Sequence, residues 1–307
     1  MIAGCGHSPG QIGDDAASGD DAPGPDSGCA AATHCPSGQW CVETAPIDSA
    51  TLLHGVFAVS SDDVFAVGDA GTILHRRCGA WSKMTSGTTM NLRGVWAASA
   101  SEIWAVGQGA TILHYDGTSW TPMTSTAGVD LFGVWGSSPT DIWAIGSQTV
   151  VHFDGSAWTT GGLAGDQTAI AGTGPTDIWT SAENGYLHHF DGSWRMVDPG
   201  FGTSIFYAVW AIAPNDVWAS MSATSNSAVH YTGTWNKPSL PPGVLFQALW
   251  GNGANDVWGV SSTTVGHWTG SWTTEQPAGL TAPLWAVHGV GSEVWLVGDN
   301  ATIVHRN

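Results

Sequence analysis

The chain has 307 residues, enough for two average domains or one large all-β domain, and its 42 Gly, 19 Trp and 42% hydrophobic content describe an ordered protein with an aromatic core. Seven Lys and Arg stand against 25 Asp and Glu; the formal charge of −18 offers no counter-charge to phosphates, which disfavours nucleic acid and anionic lipid head groups as partners. The apolar runs are a handful of residues long, far short of the roughly 20 that a membrane-spanning helix needs.

From the N-terminus, residues 1–28 read as an address and a tether. Met1-Ile2-Ala3-Gly4-Cys5 has the form of a lipobox, in which a small-residue pair precedes a cysteine that becomes lipidated. Such a box needs a basic and an apolar stretch ahead of it, which places the true start upstream of Met1 or implies a trimmed signal; a chance match of these residues is the alternative. Residues 6–28 are rich in Gly, Pro, Ser, Ala and Asp and hold no aromatic residue. They lack the apolar surface to fold, and are expected to form a disordered leash averaging about 25 Å end to end.

Residues 29–45 form a Cys-rich segment. Cys29, Cys35, Cys41 and the later Cys78 make an even set that allows three pairings, and disulfides are favoured over free thiols in a chain with an export-like start. Zinc is the competing reading because His34 precedes Cys35, but paired CxxC knuckles are missing. Cys78 lies far downstream, so at least one bridge is expected to tie this segment to the body of the fold. A Cys41–Cys78 staple is the pairing that would cross the point of ring closure.

Residues 46–307 carry a repeat with a period near 38 residues, complete from residue 53 onward. Its best copy runs Leu92-Arg93-Gly94-Val95-Trp96, Glu102-Ile103-Trp104-Ala105-Val106-Gly107, Thr111-Ile112-Leu113-His114-Tyr115-Asp116-Gly117 and Trp120. Each piece reads as a short strand of β-branched and aromatic residues bounded by turn residues. The second strand recurs at Asp63, Glu102, Asp141, Asp177, Asp216, Asp256 and Glu293, and the third at His75, His114, His152, His189, His230, His267 and His305, so two markers agree on seven copies. Four strands per copy without helices predict a seven-bladed β-propeller of four-stranded antiparallel blades, with an open β-solenoid as the alternative. The fourth-strand Trp is found as Trp81, Trp120, Trp158, Trp194, Trp235 and Trp272 and is missing after His305. The piece around Trp40, ahead of the first copy, is expected to supply that strand and close the last blade, removing exposed sheet edges.

The motif Asp-Ile/Val-Trp-Ala-Val-Gly, followed by His-Tyr/Phe-Asp-Gly and Trp, resembles that of secreted propeller lipoproteins of myxobacteria and related bacteria, over residues 53–305. More distantly, Asp116-Gly117-Thr118-Ser119-Trp120 and Asp154-Gly155-Ser156-Ala157-Trp158 are similar to the Asp-box of sialidase-like propellers, though one residue shorter between Asp and Gly. That box is a turn device, since Asp and Gly satisfy local backbone donors and adopt unusual dihedrals. Sialidase chemistry would need several arginines near the axis, and only Arg93 is placed there; Arg76, Arg77 and Arg306 follow third-strand His positions and Arg195 lies in an outer strand. No HExxH motif occurs in the sequence, and its GxSxG match, Gly6 to Gly10, falls in the Gly- and Pro-rich tether, where the composition predicts no strand-to-helix nucleophile elbow. The reading is therefore not an enzyme, with a sialidase-like carbohydrate-active enzyme as one alternative and a ligand-free scaffold as another.

The seven histidines are read as structural. If Val106 and Thr111 flank the hairpin turn, Ile103 faces His114 and Glu102 falls within one residue of it, a pairing repeated around a ring too wide for one ion. Neither a metal nor a cofactor is expected. The positions that vary between copies carry the functional reading instead: His54, Arg93, Phe132, Thr168, Tyr207, Gln247 and Trp285 at the start of the innermost strand, where a propeller has the upper mouth of its channel. Beside them lie the second-to-third strand loops, with Asp69, Gln108, Gln148, Glu183, Asn184, Asp299 and Asn300, and a longer loop from Ser220 to Ser227. Mixed aromatic, amide, hydroxyl and cationic groups suit stacking plus hydrogen bonding. The expected role is a monomeric, lectin-like binding module, exported and outer-membrane-anchored through Cys5 or extracellular in a Gram-negative bacterium. Its partner would be an envelope or extracellular protein or a surface polysaccharide.

Overall fold

The computed structural model describes residues 35–202, 204–222 and 227–307, so Cys5, Cys29, the tether and part of the Ser220–Ser227 loop lie outside the described residues. Burial follows position within each repeat. Second strands such as Val64–Gly68 are buried along their whole length, because strands cover both of their edges and neighbouring sheets both of their faces. That is why they read as unbroken apolar runs rather than as alternation. Outer strands alternate or are largely exposed: in Trp272–Glu275 the Trp is buried and the three residues after it are exposed.

The strands pair into six sheets, five of four strands and one of six, which corrects the expected seven separate four-stranded blades. The difference arises at Trp158–Gly174, a 17-residue strand. Its first part pairs with Asp141–Phe153 as the outer strand of the third repeat, and its second part pairs with Asp177–Ala182 as the inner strand of the fourth. Elsewhere a loop separates these two roles, as in residues 237–247 with Pro241, Pro242 and Gly243. Residues 158–174 contain no Pro, so every backbone donor is available and the ladder can run through; lack of Pro permits this but does not impose it, since residues 85–91 also lack Pro and form a loop. Counting motif copies therefore overstates the number of sheets.

The N-terminal strand Trp40–Glu43 pairs antiparallel with Ile303–Arg306, from Trp40 opposite Arg306 to Glu43 opposite Ile303. It supplies the missing outer strand, so the two ends of the chain share one sheet. The backbone amide of Gly38 donates to the carbonyl of Asn307 at 2.8 Å and extends the pairing. Cys35 is disulfide-bonded to Cys41, with Cα atoms 5.8 Å apart across a separation of six residues. This corrects the Cys41–Cys78 staple: the turn at Pro36-Ser37-Gly38 folds Cys41 back on Cys35, so the bridge braces the closing strand itself. Cys78 is disulfide-bonded as well.

Aromatic side chains lock neighbouring repeats together. Each second-strand ring stacks on the third-strand His of its own repeat, at centroid distances from 3.7 Å for Trp295–His305 to 4.4 Å for Trp104–His114. On its other side each second-strand Trp meets, edge on, the fourth-strand Trp of the following repeat, as in Trp104–Trp158 at 5.7 Å and Trp218–Trp272 at 5.4 Å. The seam reproduces this contact twice, with Trp40 against Trp258 at 5.8 Å and Trp81 against Trp295 at 5.9 Å. Trp40 thus occupies the place of every other outer-strand Trp.

A charge cluster sits on the same seam. Glu43 of the closing strand accepts from Trp81 Nε1 at 3.0 Å and from Arg76 Nε at 3.4 Å, and lies 3.6 Å from His305. His305 is flanked on its other side by Glu293 at 3.5 Å. Burial draws the His305 pKa down, but the carboxylates of Glu293 and Glu43 outweigh it and hold the value above the ordinary 6.5. For Glu43, burial pushes upward and the groups of His305 and Arg76 outweigh it, leaving the carboxyl below its ordinary 4.5.

The seam therefore has a defined pH dependence. A raised His pKa contributes stability that is full below pH 6.5 and fades as pH rises through the folded value; a lowered Glu pKa contributes above pH 4.5 and fades on acidification. The melting temperature of the wild type should exceed that of His305→Gln most between pH 4.5 and 6.5, with the gap shrinking at alkaline pH. Differential scanning calorimetry of both proteins across about pH 4 to 9 checks this; a gap independent of pH would refute the assignment.

Candidate ligand site at the channel mouth

The first strand of each repeat lines the central channel, and its local geometry explains the variable residue. Register shifts leave His54, Arg93, Phe132, Thr168, Tyr207 and Trp285 without a cross-strand partner, each between two paired neighbours. These are β-bulges, which insert an extra residue and re-aim its side chain. Gln247 holds the same place in the sixth repeat, its amide donating to the carbonyl of Val260, which also faces Ala248. A bulged residue escapes the inward-outward alternation of its strand, so its identity is not set by the core. All seven residues line one cavity of about 340 Å³.

Below the mouth the chemistry changes by layer. Next come Gly55, Gly94, Gly133, Ala169, Ala208, Ala248 and Ala286. They are small because inner strands approach closely here: a Cβ on Gly55 would sit 3.0 Å from the Arg93 carbonyl oxygen, and one on Gly94 would sit 3.2 Å from Gly133 Cα. Val56, Val95, Val134, Val209, Leu249 and Val287 form a buried aliphatic layer, and Phe57, Trp96, Trp135, Trp210 and His288 line the far end. His288 stacks on Phe57 at 4.0 Å and its Nδ1 accepts the Ala58 amide at 3.1 Å. Burial pushes its pKa down to about 3, so the far end is uncharged at neutral pH.

At the mouth, some side chains are fixed and others are free. His54 bonds Asp69 at 2.8 Å, and Trp285 Nε1 donates to Asp299 at 2.6 Å while its ring stays 39% exposed. Thr168 Oγ1 donates to the Phe206 carbonyl at 2.8 Å. Arg93 lies over the Phe132 ring at 5.5 Å. A second hollow of about 330 Å³ above the mouth adds Asp166, Gln167 and Glu183 to His54, Arg93, Phe132, Thr168 and Trp285.

Of the loop residues singled out from the sequence, Asp69, Asp299 and Glu183 thus belong to the mouth, the first two as anchors. The others serve the loops. Asn184 Nδ2 donates to the Ala164 carbonyl at 2.9 Å, Gln148 and Asn300 occupy left-handed turn positions, and the Gln108 backbone bonds Asn91 and Thr111. Asp166, Gln167 and His288 were missed. The first two lie on the through-running strand, where the repeat has no recognisable loop, and His288 stands where five other copies carry Phe or Trp and the fourth carries Ala171.

The seven acid–histidine pairs form with a one-residue correction of register: Trp104, not Ile103, faces His114. Val106 pairs with Ile112 because the turn keeps Thr111 for itself, its amide bonding Gln108. Glu102 consequently reaches His114 diagonally, at 2.7 Å, and the equivalent distances run from 2.6 Å at His152 to 2.9 Å at His75, with 3.5 Å at His305. Asp141 also accepts from Trp143 Nε1 and from the Ser137 hydroxyl. Hydroxyl and imidazole both bond the acid, so the Ser137 hydroxyl is held by the carboxylate and not by His152. No cluster able to hold a metal ion occurs among the described residues. In the Asp-box-like turns, Asp116 accepts from Thr118 Oγ1 and the amides of Thr118 and Ser119, which hold its pKa down at about 2.

A ring of small antiparallel sheets around a lined channel defines the class: this is a β-propeller. No family model and no curated protein matches the sequence. Among solved structures, the chain is similar to YCF48 bound to a D1 peptide, at 14% identity and TM-score 0.71, covering 87% of this chain and 96% of that one. It is also similar to virginiamycin B lyase from Staphylococcus aureus, at 14% identity and TM-score 0.74, covering 87% and 98%. The WD40 propeller domain of Doa1 matches at 12% identity and TM-score 0.69, covering 84% and 95%. At these identities the likeness establishes the fold alone.

The bulge predicts a sharp contrast in stability. Tyr207→Ala and Gln247→Ala, at bulged mouth positions, should each change unfolding free energy by less than about 1 kcal/mol. Gly94→Ala, one residue below the mouth, should cost about 1–3 kcal/mol because backbone rather than a movable side chain blocks its Cβ. Urea denaturation of the three variants measures the contrast.

Proposed function

We propose that the chain is a non-catalytic binding module whose ligand, a protein or a surface polysaccharide, docks on the channel mouth. The observation that carries this reading is the bulge shared by the inner strands. It releases one side chain per repeat from the core, and the released side chains are diverse, with two aromatic faces, a phenol, an amide and a guanidinium converging on one opening. Concave sites of this kind bind by stacking combined with a few directed polar contacts. The neighbour solved with a bound peptide is compatible with a protein ligand.

The Cys35–Cys41 disulfide supports residence in an oxidising compartment, as expected of an exported protein. No helix among the described residues is long and apolar enough to cross a membrane. Attachment through a lipid on Cys5, on the bacterial envelope, is the matching proposal and follows from the resemblance to secreted propeller lipoproteins. Against a sialidase-like activity stand the single arginine at the mouth and the commitment of Asp69 and Asp299 to His54 and Trp285.

The test is a capture experiment from an envelope extract of the source organism. Wild-type protein should retain a partner that the triple variant Arg93→Ala, Tyr207→Ala, Trp285→Ala loses while keeping its melting temperature. Equal capture by both proteins would move the binding surface elsewhere. Absence of any partner would favour a scaffold.

A further inference from the structure

Arg93 is out of character for this molecule. In a chain with seven basic residues and 25 acidic ones, a guanidinium would be expected to find a carboxylate. Arg76 does, at Glu43 and Asp62; Arg195 does, at Asp191; and Arg306 does, at Glu275. Arg77 is exposed to water at the end of its strand. Arg93 is only half-exposed, and its Nε is buried without a hydrogen-bond partner. Among the described residues its one recorded side-chain interaction is with the face of Phe132. A partly desolvated cation without a counter-ion is costly, because burial penalises the charge and leaves the Nε donor unmatched.

What lies next to Arg93 narrows the missing partner. Beneath it the cavity is walled by Gly, Ala, Val and Leu and reaches aromatic rings and the neutral His288, so the space accepts an uncharged apolar group. Beside it, in the hollow above, are Asp166 and Glu183, which repel a ligand carrying several negative charges. One negative charge on an apolar body meets all three conditions. A planar carboxylate matches the guanidinium fork, which can donate two parallel hydrogen bonds to it.

We propose that the mouth binds an apolar carboxylate, its charged end on Arg93 and its apolar body in the channel. This rests on the mouth being the ligand site. The two sources of that chemistry are a free organic acid and the C-terminus of a peptide ending in an apolar residue.

The experiment uses two matched pairs of probes in isothermal titration calorimetry with the full chain: 4-phenylbutyrate against 4-phenylbutyramide, and the tripeptide Ala-Ala-Leu with a free against an amidated C-terminus. At least one acid should bind about tenfold more tightly than its amide, as expected for a charge-assisted pair. Arg93→Gln should abolish that preference, Arg93→Lys should keep part of it, and Arg77→Gln, a control for overall charge, should leave it intact. Binding of the peptide acid alone identifies a peptide C-terminus as the source; tighter binding of phenylbutyrate identifies a free acid. Equal binding of acid and amide, lost in Trp285→Ala, would overturn the carboxylate while leaving the mouth as the ligand site. Failure of both acids to bind at millimolar concentration, or a preference that survives Arg93→Gln in a protein of unchanged melting temperature, would overturn the proposal outright.

Discussion

The ring depends on one contact repeated at six of its seven junctions, the second-strand Trp held between the imidazole of its own repeat and the outer Trp of the next. Each such ring removes roughly 150–250 Å² from water. The imidazole is itself held by the acid that opens the second strand, so the apolar stack has a polar end that fixes its orientation. The stack joins strands within a sheet, and the edge-on Trp joins one repeat to the next. Neither works in isolation, because a single repeat leaves its second-strand ring without a cover. Closure is therefore a requirement of the core: without Trp40, the ring of Trp258 would lie open on the seam.

That constraint propagates inward. Sheets drawn together by large rings at mid-radius approach one another closely at the axis, where a Cβ on Gly55 or Gly94 would press on the backbone of the neighbouring strand. The bulge immediately above relieves the inner strand of its alternation and turns one side chain toward the opening. A repetitive scaffold can thus display a non-repetitive set of side chains at low cost to its own stability. The mouth is variable because the layers beneath it are not.

The same logic separates what was legible from what was not. Strand identity, the acid–histidine pairs, the role of Trp40 and the seven mouth positions are all carried by short, periodic patterns whose physical cause is local: side-chain shape, turn residues, burial. Three features escaped for a common reason. The passage through residues 158–174, the Cys35–Cys41 bridge and the Trp104–His114 register each depend on how backbone donors are shared out, and a ladder that continues or a turn that keeps one extra residue leaves little trace in composition.

By itself the sequence determined the period, the composition of each layer and the need for a strand from ahead of the first repeat to complete the last, because these follow from hydrophobic patterning and an unmatched Trp. Only the tertiary structure decided that the strands make six sheets, that Arg93 stands without a counter-ion, and that Asp69 and Asp299 are spent on anchoring while Asp166 and Glu183 face the opening. These are relations between residues distant in the chain. They are set by the path of the backbone around the axis, which no local pattern encodes.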